Sequence, residues 1–431
     1  MVAIVPFSGI LYNKETIDSY SQVTAPPYDV IQPQHQEELY AKNPYNVVRL
    51  ILGKIYDDDS ETNNRYTRSA ADFQSWLKEG ILARDEKPCF YVYSQEYEFN
   101  GERINRIGFF ARVKLEDFSN GNICPHEFTL AKVKKDRTLL LKECRANFSP
   151  IFGLFSDPEG VIDQRLLETS KQPPLATIEE KGVTHKLWRL EEGSALEFIP
   201  DRFQDKKIYI ADGHHRYETA LDYYKENGAQ VKDSAHIMMF LTNLDSKSLS
   251  IYPIHRQVKS PTPFDRDPFL SKVEEFFEVE NLPKEVSADQ IRTLLEETGK
   301  EGIVFGVCLG KGDTRLLKLK DTKNIIPHLG EDEPEDLQVL DVAQLHTLVM
   351  NKILGIDTKN PDHQKYVSYT VNIEEAVDNV EQGNFDLAFF MNATPMSQVR
   401  SLAEKGIRLP QKATYFYPKL LSGLVINQFE P

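Results

Sequence analysis

Cysteine is scarce and shows no pattern: Cys89, Cys124, Cys144 and Cys308 are scattered through 431 residues without a CxxC spacing. That excludes a disulfide framework and a thiolate zinc site, and leaves reduced thiols in or near the core as the expectation. Long apolar runs are missing too, so no segment reaches the length of a membrane-spanning helix. The apolar start, Met1 to Phe7, is too short for a signal peptide and lacks a basic leader, which makes a soluble cytoplasmic protein the expectation. Positive charge is in deficit, with 51 Lys and Arg against 66 Asp and Glu, a formal net charge of -15. Coating nucleic acid requires the opposite balance, because it rests on neutralising phosphates, so nucleic acid is not expected as a partner. The phosphate-binding P-loop, the dinucleotide glycine fingerprint and the hydrolase nucleophile elbow are absent, as is any fixed-period repeat.

What is present suits a globular protein. Hydrophobic residues make up 40% of the chain and charged residues 27%, enough for a sizeable core. The length suggests two or three domains. The character shifts around Ser260-Pro261-Thr262-Pro263, which divides the chain into a core at 1–260 and a C-terminal α+β region at 261–431, with Gly330 to Glu335 as an acidic linker-like stretch. Asn100-Gly101 between two alternating runs, Cys89 to Tyr97 and Arg106 to Val113, signals a hairpin. Asn64 to Glu79 has helical apolar spacing with Gly80 as its stop, and Val47 to Leu52 reads as a strand. Further strands are expected at Pro150 to Phe155, His185 to Leu190, Lys207 to Ile210, Ser234 to Leu241, Gly302 to Leu309 and Leu387 to Met391. Helices are expected at Leu139 to Ala146, Arg216 to Asn227, Asp267 to Phe277, Ser287 to Glu297, Asp341 to Leu354 and Ile373 to Val380. The fold class is therefore α+β.

The chemistry concentrates at Ala211-Asp212-Gly213-His214-His215-Arg216-Tyr217. A strand, a glycine turn and a helix start bring backbone N–H groups and the positive end of a helix dipole to one point. Arg216 offers a fork of donors for phosphate or carboxylate, His214 and His215 can donate or move protons near neutral pH, and Asp212 could act as a base or metal ligand. Adjacent histidines diverge in direction and no HExxH spacing is present, so no protein metal site is expected. A second concentration, Pro125-His126-Glu127 followed by Lys132, Lys134, Lys135, Asp136 and Arg137, places cations beside a His-Glu pair in an acidic chain. His126 or Glu127 could serve as general base, and Lys132, Lys134 and Arg137 could bind phosphate. Ala25-Pro26-Pro27-Tyr28-Asp29 holds Tyr28 and Asp29 on a stiffened strut. With Tyr217 these are the expected substrate contacts, and Arg49 is an expected anion contact. The segment Pro410 to Lys419 is expected to dock on the core and lend Lys412 or Lys419 to a pocket.

The box Ala211 to Ala220 resembles the signature of a family of bacterial and archaeal proteins known as domain of unknown function 1015. Further matching segments are Val5 to Phe7, Ala25 to Ile31, Pro44 to Asn46, Pro125 to Glu127, Asp136-Arg137, Ala146 to Phe152 and Thr414 to Phe416. More distantly, Asp212 to Arg216 is similar to a box in ParB-like and sulfiredoxin-like folds, whose relatives include free-serine kinases and nucleotide-switched partition proteins. That resemblance implies a ParB/sulfiredoxin-like mixed-sheet core and a phosphate-containing small-molecule ligand. It also implies a phosphotransferase on a small hydroxylated metabolite, foremost a nucleotide-dependent free serine kinase using ATP or ADP with Mg²⁺. A phosphoserine phosphatase and a nucleotide-sensing regulator are the alternatives.

Overall fold

The computed structural model describes residues 1–429 except 130, 192, 232, 331, 332 and 411. The chain divides into two compact units, one of residues 1–125, 129–250 and 418–431, the other of residues 126–128 and 251–417. Of the expected acidic stretch Gly330 to Glu335, residues Glu331 and Asp332 lie outside the described residues, as does Gln411 of the C-terminal segment.

The first unit is organised by a nine-stranded sheet. Its strands are β1 (Ile4–Val5), β2 (Phe90–Phe99), β3 (Glu102–Lys114), β4 (Ile123–Cys124), β5 (Ile151–Phe155), β6 (Ala176–Glu180), β7 (Val183–Leu190), β8 (Ile208–Asp212) and β9 (His236–Asn243). The hydrogen-bonded order is β4-β8-β5-β9-β3-β2-β7-β6, with β1 added against β3. The β2–β3 hairpin follows from its turn: Asn100 and Gly101 both take positive φ, 50° and 76°, the geometry that matches the twist of two joined strands. That turn pairs Phe99 with Glu102 and carries Tyr91 opposite Phe110. The sheet is mixed, since β8 runs parallel to β4 but antiparallel to β5, while β9 runs parallel to β5 and antiparallel to β3. An α+β class with a mixed sheet is what the sequence led to.

Three helices matter for the site: α1 (Arg65–Lys78), α2 (Ala131–Cys144) and α3 (His214–Asn227). Helix α1 starts where Asn64 accepts from the backbone N–H groups of Tyr66 and Thr67, and Gly80, at φ 74°, follows its end. Helix α2 packs against both α1 and α3. It begins eight residues earlier than Leu139, because the cationic run Lys132 to Arg137 forms its first turns rather than a loop. The expected strand at Val47 to Leu52 is instead a short helix, Val48–Ile51. Val47, Val48, Leu50 and Ile51 are all buried, so the apolar pattern carries no period, and the Asn46 side chain accepts from Val48 N and turns the chain into a helix. The segment 418–431 belongs to this unit. It pairs Asn427–Gln428 with Ala146–Asn147 and bridges Ser422 to Ala25 and Ile426 to Ile10. Its start is held by Arg106, fully buried, whose guanidinium donates to Gln95 and to the Pro418 carbonyl, while Gln95 Nε2 donates to the Lys419 carbonyl at 3.0 Å.

The second unit holds a six-stranded sheet of β10 (His255–Val258), β11 (Phe277–Asn281), β12 (Val304–Cys308), β13 (Thr314–Leu319), β14 (Val367–Thr370) and β15 (Leu387–Phe390), in the order β11-β13-β12-β15-β10-β14. Phe305, Val307, Leu387 and Phe389 feed one core, and Val304, Cys308, Ala388 and Phe390 feed another. Because successive residues of a strand point to opposite faces, both faces are covered, which is why these strands read as unbroken apolar runs. Two helix expectations need correction. Asp267 to Phe277 is a helix only from Arg266 to Val273, after which Phe277 opens β11. Asp341 to Leu354 is regular over Asp341–Gln344 and π-helical over Leu345–Ile353, a winding that leaves no distinct mark in a run this apolar.

Candidate functional site

Strand β8 ends at Asp212, and Gly213 turns the chain with φ 96° and ψ 25° into α3. Only glycine takes this conformation without strain, and a Cβ there would stand 3.0 Å from the Arg216 guanidinium. The bare turn thus lets Arg216 fold back over its own helix start. Arg216 Nη2 donates to Asp212 Oδ2 at 2.6 Å, Nη1 donates to the Pro150 carbonyl, and Nε, though buried, has no hydrogen-bond partner. The other Asp212 oxygen accepts from Lys419 Nζ at 2.6 Å. Two cations therefore converge on one carboxylate and leave a net positive charge at a helix N-terminus.

Burial alone would raise the Asp212 carboxyl, but the charges of Lys419 and Arg216, with His214 beside them, hold it well below the usual carboxylate range. Asp212, which the sequence offers as a base or a metal ligand, is thus ionised, with one oxygen on Arg216 and the other on Lys419. His214 is buried at the first position of α3 and His215 is half-buried beside it. Tyr217 departs from its expected role as a substrate contact. It is fully buried in the core, its hydroxyl donates to the Glu116 carbonyl at 2.8 Å and accepts from Glu116 N, and its ring stacks on Phe118. The apolar face of α3 takes it away from the site.

Two hollows meet at Arg216. The smaller, a tight crevice, is lined by Pro27, Ser149, Asp212, Arg216, Lys419 and Ser422 among others. The larger is an open cleft in which Tyr28, Arg137, Asn147, Ser149, Arg216 and Thr219 interrupt an apolar wall. Tyr28 lies against the Arg137 guanidinium, 3.9 Å from ring centroid to Cζ. Burial pushes its phenol up to about 12, with Arg137 opposing, so it is a protonated donor at neutral pH. Asp29, next to it, is exposed.

The second basic cluster is divided. Arg137 is buried, with Nε and Nη2 on Asp136 and Nη1 on the Ile51 carbonyl at 3.0 Å. Asp136 also accepts from Arg65 and from the Tyr66 hydroxyl. Lys134 pairs with Glu218 at 3.1 Å, and Lys132 and Lys135 are exposed. His126 and Glu127 belong to the other unit. There His126 Nε2 lies 2.9 Å from Thr414 Oγ1, and Glu127 Oε1 accepts from Lys412 N at 2.7 Å. Arg49 donates to the Tyr40 carbonyl and stacks on the Tyr40 ring at 4.3 Å, and it lines neither hollow. Among the residues that line the hollows, Ser149, Ser422, Asn147 and Thr219 were not singled out from sequence. Asn147, Ser149 and Thr219 nevertheless sit inside the family segments, and Lys419 is the residue the sequence offers as a lender to a pocket.

Among the described residues no three His, Cys, Asp or Glu side chains gather as a metal cage. With Asp212 already bridging two cations, the site does not fit a protein-held Mg²⁺. Among the same residues no helix is long and apolar enough to cross a membrane.

Several solved structures resemble this chain in arrangement. A mutant free serine kinase in complex with AMP aligns with a TM-score of 0.36 at 14% identity, covering 72% of this chain and 87% of that one. A conserved hypothetical protein from Pyrococcus furiosus aligns at 0.35 and 15% identity, over 73% and 92%. SbnI with a C-terminal truncation, from Staphylococcus aureus, aligns at 0.34 and 12%, over 73% and 85%. No curated protein matches the chain in sequence. The family model described as protein of unknown function, DUF1015, matches residues 4–343, so the chain belongs to that family.

Proposed function

We propose that the first unit is a nucleotide-dependent phosphotransferase acting on a small hydroxylated metabolite, with ATP or ADP as donor. The observation that carries this reading is Arg216. Its guanidinium is oriented by Asp212 and the Pro150 carbonyl, stands beside Lys419, and keeps a buried Nε–H unmatched at the rim of two hollows. A buried donor without an acceptor is costly, and a phosphate oxygen is the acceptor that best suits a positive helix N-terminus. In a phosphoryl transfer these groups would position the donor and stabilise charge on the transferred group, which is most of what such catalysis requires. Gly213 and Arg216 would hold donor phosphates, and His214 or His215 would contact the transferred group. The likeness of the Asp212–Arg216 box to that of free-serine kinases makes serine the first acceptor to try.

The test is a thermal-shift screen of ATP, ADP and AMP followed by an assay for phosphoserine from serine plus the stabilising nucleotide. Stabilisation by a nucleotide with phosphoserine formed is the expected result. No stabilisation by any of the three would sink the proposal, and release of inorganic phosphate from phosphoserine without nucleotide would replace it with a phosphatase.

A further inference from the structure

The larger cleft is shaped by two packed helices. Helix α2 contributes Leu140 and Leu141, α3 contributes Arg216, Thr219 and Ala220, and Phe148 closes the wall. The cleft is open on one side, and its largely apolar wall with a few polar groups is the lining usual for small-molecule sites.

Two atoms in it lack what buried polar atoms require. Thr219 is 2% exposed, yet its Oγ1 has no hydrogen-bond partner. A helical threonine ordinarily gives its hydroxyl to a carbonyl one turn back, and this one does not. Arg216 Nε, one helical turn away on the same face, is the second.

We propose that this cleft seats the nucleoside part of a nucleoside phosphate, with the phosphates at Arg216 and Lys419 and the Thr219 hydroxyl bonded to a polar edge of the base or to a ribose hydroxyl. The inference rests on the phosphate reading of Arg216 and adds where the organic part lies. Leu140, Leu141, Phe148 and Ala220 offer an apolar wall that suits a flat base, whereas a zwitterionic amino acid would bury two charges there at high cost. A threonine hydroxyl both donates and accepts, as a base edge or a sugar hydroxyl needs. Arg216 and Ser149 line both hollows. A phosphate on Arg216 therefore has its nucleoside in the larger cleft.

Calorimetric titration of the full chain with ADP and, separately, with inorganic pyrophosphate tests this. The wild-type protein should bind ADP at least about tenfold tighter than pyrophosphate. T219V, which removes only the hydroxyl, should weaken ADP by about tenfold and leave pyrophosphate unchanged. A220L, which narrows the cleft from the same helix, should do likewise and stands in if T219V fails to fold. If pyrophosphate binds and ADP binds no tighter, or if both variants bind ADP like wild type, the nucleoside seat is overturned while the phosphate reading stands. If neither ligand binds, both fall.

Discussion

Two basic runs legible in the sequence, Lys132 to Arg137 and His214 to Arg216, lie in two helices of 14 residues each, packed against one another in the same unit, and their arginines differ in one respect. In the second turn of α2, Arg137 has Nε, Nη1 and Nη2 all engaged by Asp136 and the Ile51 carbonyl, and its face lies on Tyr28. At the start of α3, Arg216 is oriented by one carboxylate and one carbonyl and keeps a buried Nε–H unmatched. Both arginines line the cleft, and both share their carboxylate with a second cation. Donor accounting, not charge, separates them: every nitrogen of Arg137 has a partner, whereas Arg216 keeps one buried nitrogen unmatched beside the hollows.

The sharpest way to break this contrast is to remove each arginine in turn. R137M leaves Asp136 with Arg65 and the Tyr66 hydroxyl and empties a buried contact with Tyr28. Urea unfolding should show a loss of about 3–5 kcal/mol, the range for breaking a buried pair. R216A should cost less stability but lower ADP affinity about a hundredfold, as loss of a charge-assisted hydrogen bond set does, and calorimetry reads it directly. Equal effects of the two variants on ADP would erase the distinction.

Asp212 supplies a pH dependence. Its carboxyl is held below the unfolded value, so its stabilisation is fully present above about pH 4 and lost as pH falls toward the depressed folded value. Unfolding free energies measured from pH 7 to 2 should show an acid arm worth about 2 kcal/mol, and D212N should flatten it. A smaller effect belongs to Y217F. Losing the hydroxyl that bridges the Glu116 backbone should destabilise by about 1 kcal/mol with ADP affinity unchanged, as fits a core residue. Smallest of all, K132A should shift stability by under about 0.5 kcal/mol, since Lys132 is exposed. A drop in ADP affinity in K132A would restore the α2 cluster as a phosphate site.

Much of the fold was legible because its signals are local. Asn100-Gly101 dictates a hairpin through two positive φ values, and Asn64 and Gly80 bracket α1 by capping chemistry. The β8–Gly213–α3 junction was legible for the same reason, and with it the convergence of Asp212, His214, His215 and Arg216. Val47 to Leu52 and Leu345 to Ile353 were not, since residues buried on every side erase the period that tells one winding from another.

The sequence by itself determined that a strand, a glycine turn and a helix would bring an acid, two imidazoles and a guanidinium to one point. Only the tertiary structure decided what each does. Lys419 reaches Asp212 across 207 positions of sequence because Arg106 and Gln95 clamp the backbone beneath it. That pairing gives each oxygen of Asp212 a cationic partner. Tyr217, two residues beyond His215, was turned into the core by the helical period. Hydrogen bonds between distant residues leave no periodic trace along the chain, so which donors at the Asp212–Arg216 turn are matched can be read only once the chain has folded.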